Sequence, residues 1–283
     1  MYNGRVLTGY VLLATLFALV VGMIINTAIS FAAGALIVVI WWIIASAAGD
    51  KILIKSMWAE SLNIALYPHV AKMVSDERIG PKIAPPRLWI LSSISPMVIS
   101  IGFSKGSSNL IFTKGFLDSL DDKAQKGLIH WEIESVRSGL TSLNTGIATL
   151  LWFVLLPGRI GYILAGYHPG EPNLVTSFLN IFPAFIGAPY AHFMADKKLV
   201  YKVDATAMKS LHNPEYLLYA LMEIDKKSLA LPFECELALS PCCLLNPRGR
   251  DPYSGLFKLH PTAPRRIDRL RFKHNKSNNR RAS

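Results

Sequence analysis

Two uncharged apolar runs at the start of the chain, Leu7–Ile25 and Ala28–Ala48, restrict the fold more than any other feature. Each is long enough to cross a hydrocarbon layer of about 30 Å as a helix. Only Asn26 and Thr27 separate them, so the pair reads as a retained hairpin rather than a cleaved leader. Arg5 precedes the hairpin and Lys51 and Lys55 follow it, which places both ends on the cytoplasmic side. Two more apolar runs follow: Leu143–Ala165, interrupted by Pro157-Gly158-Arg159, and Leu174–Phe193, which contains Pro183 and Pro189. The composition agrees with a cell-membrane, multi-pass chain. Of 283 residues, 51% are hydrophobic and 17% charged, against about 25% charged in a soluble chain. The net charge of +11 then fits cytoplasmic loops and a tail facing anionic lipid. Nucleic acid is not expected, because Phe272 is the lone aromatic ring available for base stacking in the basic tail from Arg265 to Ser283.

The segments between the apolar runs predict a small domain. Met57–Val74 has helical spacing of Leu62, Ile64, Leu66, Val70 and Met73. Arg87–Leu91, Met97–Phe103 and Asn109–Thr113 read as short strands. Ser119 and Asp121 are candidate N-caps for a helix ending near Ser138 or Gly139. Helices are expected over Leu199–Leu211 and Tyr216–Ile224, then an irregular Pro232–Pro247 segment. Cys235, Cys242 and Cys243 form neither a C-x-x-C pair nor a disulfide framework and are expected to be reduced thiols. The fold class is mainly α with a small β-sheet (α+β), with about four transmembrane helices. The divisions are residues 1–50 (hairpin), 51–142 (first part of the cytoplasmic domain), 143–196 (second membrane pair), 197–274 (rest of the domain) and 275–283 (basic disordered tail).

The chemistry centres on the helix holding Leu128–Gly139. A zinc peptidase helix needs H-E-x-x-H, with two histidines four apart on one face and a glutamate that activates the metal-bound water. Glu132 stands at the glutamate position, but Trp131 and Ser135 stand at the ligand positions. Neither binds zinc as imidazole or thiolate does. A different register gives His130 and Glu134 ligand spacing, with Asp196 on a later helix as third donor and His192 a turn earlier; Trp131 then occupies the place of the base. No register restores the whole motif.

Four features occur in order: a two-span hairpin before short strands; Leu110–Leu117 leading into the degenerate helix; two apolar runs before Val200-Tyr-Lys-Val-Asp204; and Leu256-Phe-Lys-Leu-His-Pro261 followed by Arg266-Ile-Asp-Arg-Leu270. Together they resemble the HtpX-type membrane zinc metallopeptidases, a gluzincin-like family, over nearly the whole chain. The resemblance implies a cytoplasmic metallopeptidase domain and work on misfolded membrane proteins. It also implies that the zinc ligands fall on Trp131, Ser135 and Val200, the catalytic glutamate on Glu132, a supporting aspartate on Asp204 and a substrate-edge residue on Met97. His260 would be a structural hydrogen-bonding residue. All three ligands are then missing, and with them a metal-binding free energy of about 10–16 kcal/mol.

The expectation is a catalytically inactive, metal-free pseudopeptidase with no cofactor. Its partners would be membrane lipids, membrane or misfolded proteins bound at a sheet edge, and an active paralogue. Trp131 would plug the vacated metal cavity. The alternatives are an active zinc-dependent endopeptidase with a rebuilt site at His130, Glu134 and Asp196, and a plain membrane anchor whose basic tail recruits a partner.

Overall fold

The computed structural model describes residues 36, 47–77, 83–156, 158–160, 174–247 and 253–282. The first apolar run, most of the second and the loop at 161–173 lie outside the described residues. Four strands make one mixed sheet in the order β1 (Glu60–Ser61), β2 (Arg87–Leu91), β4 (Asn109–Thr113) and β3 (Val98–Ile101). β2 and β4 are parallel, and β1 and β3 flank them antiparallel. β3 and β4 are buried along their whole length.

The helical spacing over Met57–Val74 does not produce one helix. Helix α1 begins at Pro68 and runs Pro68–Asp76. Proline disfavours helical geometry in the residue before it, and Tyr67 lies at φ −127 and ψ 56. Pro68 itself suits the first turn, where no amide is required. The upstream residues turn at Trp58, φ 58, and supply β1 instead.

After β4 come α2 (Lys114–Ser119) and the central helix α3 (Asp122–Ser138). Asp121 caps α3, its carboxylate accepting from the Ala124 amide at 2.9 Å. Gly139 ends it in the left-handed region, φ 83, which costs a glycine little. From Leu128 to Val136 every residue of α3 is buried, so its polar side chains face neighbouring elements rather than solvent.

Helix α4 (Leu140–Val154) lies against α3 and buries Leu143, Ile147, Leu150 and Leu151 together with Thr145 and Thr149. The two threonine hydroxyls donate to carbonyls four residues back, at 2.7 and 2.8 Å. Arg159, beyond it, pairs with Glu236 at 2.7 Å and lies 4.9 Å over the Trp152 ring. Helix α5 (Leu174–Met194) sets small residues, Ala184, Gly187, Ala188 and Ala191, on its inner face. Phe178, Phe185, Ile186 and Phe193 recur on its exposed face. Among the described residues no helix is long and apolar enough to cross a membrane. Of the expected third span, the described part, α4, packs largely as a buried helix, and residues 157 and 161–165 of that run lie outside the described residues; α5 covers the expected fourth span and carries no charged residue.

The remaining helices are α6 (Lys197–Ser210), α7 (Glu215–Ala230) and α8 (Ala263–Ala282). Between α7 and α8 lie two 3-10 turns, Leu237–Cys242 and Ser254–Phe257. α8 ends at Ala282. The core is continuous from β3 and β4 through α3 and α4 to α6, α7 and α8.

Gly127 marks the closest approach of α3 to α7, because a Cβ there would stand 2.7 Å from the Tyr216 carbonyl oxygen. Alanine raises helix propensity by about 1 kcal/mol, but the clash is with backbone and outweighs it. Gly127→Ala is expected to lower stability by about 1–3 kcal/mol. Thermal denaturation checks this; an unchanged or higher midpoint would mean that α7 yields freely.

Candidate functional site

α3 and α6 pack side by side and bring the family positions together. Trp131 is buried, and its indole N–H donates to Asp204 Oδ1 at 2.7 Å. Arg266 enters from α8 and is wholly buried. Its Nε and Nη2 donate to the Asp204 carboxylate at 3.1 and 2.7 Å, and its Nη1 donates to the Leu244 carbonyl at 3.0 Å. Its guanidinium carbon lies 4.8 Å from the centre of the Trp131 ring. Val200, one turn before Asp204, is buried on the same side of α6. Ser135, one turn after Trp131, bonds Thr141 through hydroxyls 2.9 Å apart. The space left beside Val200, Asn144 and His260 is only about 10 Å³.

These residues do not fit zinc. An indole, an aliphatic side chain and a hydroxyl engaged elsewhere offer no ligand set. The Asp204 carboxylate is already matched by a buried guanidinium, so a dication would meet a like charge. Arg266 appears in the sequence as one member of a basic helix. Its burial could be anticipated only from its spacing with Ile267 and Leu270, which are also buried.

Glu132 is fully buried, and neither carboxyl oxygen has a hydrogen-bond partner among the described residues. Burial pushes its pKa up to about 8, opposed in part by Ser100 and by the charge of Arg266. The Ser100 hydroxyl lies 3.0 Å from that of Thr141, so it is already in a hydroxyl chain. At neutral pH Glu132 is therefore chiefly a protonated acid, which cannot take a proton from water.

His130 and Glu134 face another way. His130 Nδ1 lies 2.6 Å from Glu77 Oε2, and its Nε2 lies 2.8 Å from Ser210 Oγ. Glu134 pairs with Arg137 and accepts from the Ser210 hydroxyl at 3.3 Å. Asp196 is at the opposite end of α6, capping it through the Leu199 amide at 3.0 Å. Ser210 is the last of the fourteen residues of α6, about 20 Å from Asp196 at 1.5 Å per residue. The set His130, Glu134 and Asp196 is thus not brought together. His192, also distant, approaches the Leu256 carbonyl at 2.9 Å. Among the described residues no three His, Cys, Asp or Glu side chains are grouped to hold a metal ion.

Glu77, His130 and Ser210 have the distances of an acid–base relay, but their electrostatics oppose acyl transfer. Ser210 ends α6, where helix carbonyls are negative, and Glu134 borders its hydroxyl. An oxyanion formed there would meet negative charge instead of donors. The cluster instead ties the end of α1 to α3 and α6.

The sheet edge is also not open. Met97 is buried with its amide and carbonyl both bonded to Thr113. On the outer side of β3, the Leu244 amide donates to the Val98 carbonyl at 3.3 Å, and Ile99 pairs antiparallel with Cys243. The chain's own Cys243-Leu244 thus occupies the place expected for a bound polypeptide. His260 anchors this segment, its Nε2–H donating to the Pro241 carbonyl at 2.8 Å. Burial lowers the His260 pKa to about 4, so the ring is neutral.

Two outcomes follow. Arg266→Ala leaves Asp204 buried and unpaired and is expected to cost about 3–5 kcal/mol, whereas Trp131→Phe, which loses one hydrogen bond, costs about 1–3 kcal/mol. Denaturant titration measures both, and a near-neutral Arg266→Ala would mean that the aspartate is hydrated. Glu132 binds a proton when folded that it loses when unfolded between pH 4.5 and about 8. Its contribution to stability therefore falls as pH rises through that window and levels off above it. Glu132→Gln removes the effect, so its melting midpoint should match the parent near pH 4.5 and exceed it by an increasing margin towards pH 8. A constant difference would contradict a protonated Glu132.

No family model matches the chain. It is 27% identical over 213 residues to a protein named Protease HtpX homolog from Dictyoglomus turgidum, covering 73% of this chain and 69% of that one. A homologue of the same name from Dictyoglomus thermophilum is 26% identical over 230 residues, covering 79% and 75% of the two chains. Protease HtpX of Legionella pneumophila is 23% identical over 237 residues, covering 78% and 81%. Along most of its length the chain is thus similar to the HtpX proteases, at an identity of 23–27%.

Proposed function

We propose that this chain is a metal-free pseudopeptidase that acts at a membrane by binding and regulating membrane proteins rather than cleaving them. The observation that carries this reading is the Trp131–Asp204–Arg266 cluster, which fills the space between α3 and α6 with an indole and a buried ion pair. Hydrolysis of a peptide by this fold requires a metal-activated water and an ionised glutamate. The donor set offers the metal no place, and Glu132 is held protonated. The exposed aromatic face of α5 and the apolar runs before it support a multi-pass membrane location with the folded domain on the cytoplasmic side. Because β3 is closed by the chain's own segment, a partner protein or an active paralogue would meet another surface.

Elemental analysis of the detergent-purified full-length protein tests this. The expected result is far less than one zinc per chain, melting indifferent to a chelator, and no Glu132-dependent cleavage of an unfolded protein substrate. About one zinc per chain, lost in His130→Ala or Glu134→Ala, would restore the reading of an active endopeptidase with a rebuilt site.

A further inference from the structure

The outer faces of α6 and α8 form a groove of about 290 Å³ on the side away from Asp204. Lys198, Lys202 and Lys209 line it from α6, and Arg269 and Lys273 line it from α8. No carboxylate lines the groove, and among the described residues none of the five cations has an ion-pair partner. Like charges four apart on a helix, as at Lys198 and Lys202 or Arg269 and Lys273, weaken it. Two such rows facing each other across one groove add mutual repulsion that an anion would relieve. Arg269 is oriented as well, its guanidinium carbon 4.3 Å from the centre of the Tyr201 ring.

The groove also has a defined neighbour. α6 begins three residues after α5 ends at Met194. α5 presents Phe178, Phe185, Ile186 and Phe193 to the outside, with Phe193 77% exposed. Five residues beyond Phe193 comes Lys198, the first cation of the groove. An apolar stripe followed in the chain by a basic groove matches the chemistry of a lipid, acyl chains and then a charged headgroup.

We propose that the groove between α6 and α8 binds the phosphate headgroup of an anionic membrane lipid, with the acyl chains along the exposed face of α5. This rests on the membrane location proposed above and assigns a site to it. Three of its five cations lie outside the C-terminal basic tail.

The test is native mass spectrometry of the full-length protein, delipidated in a nonionic detergent and titrated with dioctanoyl phosphatidic acid, dioctanoyl phosphatidylcholine or inorganic phosphate. The expected result is saturable binding of phosphatidic acid, weaker binding of the other two, and loss of affinity as salt rises. Lys202→Glu with Lys209→Glu should weaken phosphatidic acid binding by about tenfold or more. Lys126→Glu, an exposed charge change on α3, should leave it unchanged. Equal binding of phosphatidylcholine would assign the affinity to the apolar face alone. Equal binding of inorganic phosphate would make the ligand a soluble anion. Either result, or an unaffected double variant, overturns the proposal. These readouts do not depend on metal content, and short-chain lipid tests the groove even if cell fractionation finds the protein away from membranes.

Discussion

The buried pair of Arg266 and Asp204 is the constraint around which the domain is organised. A guanidinium with no exposed surface is tolerated only when its donors are met, and here they reach both carboxylate oxygens and the Leu244 carbonyl. Those bonds join α8 to α6 and to the segment that closes β3. The indole of Trp131 covers the guanidinium and adds a donor to the same carboxylate, which fastens α3 to the pair. One cationic group thus links the last helix, the central helix and the sheet edge. It also places a positive charge against Trp131, one of the positions on which the resemblance puts a metal ligand.

The surroundings of Glu132 follow from that arrangement. It stands one residue after Trp131 and so points away from the ion pair, toward the hydroxyls near β3. No donor reaches either of its oxygens among the described residues. Burial without a partner favours the neutral acid. The glutamate therefore keeps its position in sequence while its environment denies it the charge that a general base needs. The same reasoning separates His130 and Glu134 from any metal role, because their geometry is committed to Glu77, Ser210 and Arg137.

The molecule also divides its outer surfaces. α5 keeps small residues inward against α4 and large aromatics outward. α6 and α8 keep their apolar and ion-paired faces inward and their cations outward. Chain order puts the apolar surface of α5 directly before the basic surface of α6.

Local sequence determined the strands Arg87–Leu91 and Asn109–Thr113, the Asp121 cap and Gly139 stop of α3, and the lack of an imidazole, thiolate or carboxylate at Trp131, Ser135 and Val200, where the resemblance puts zinc ligands. Each depends on side-chain type or on contacts within a few residues. Periodicity alone overextended the first helix, because Pro68 sets the geometry of Tyr67 and frees the preceding residues for pairing with β2. What only the tertiary structure decided are relations between distant residues. It chose Arg266 from among many surface cations to be buried with Asp204, put Asp196 at the far end of α6 from His130, and laid Cys243-Leu244 along β3. A basic residue in a helix has the same local signature whether it points to solvent or into a core. The difference lies in what packs against it, and that is settled only when the chain has folded.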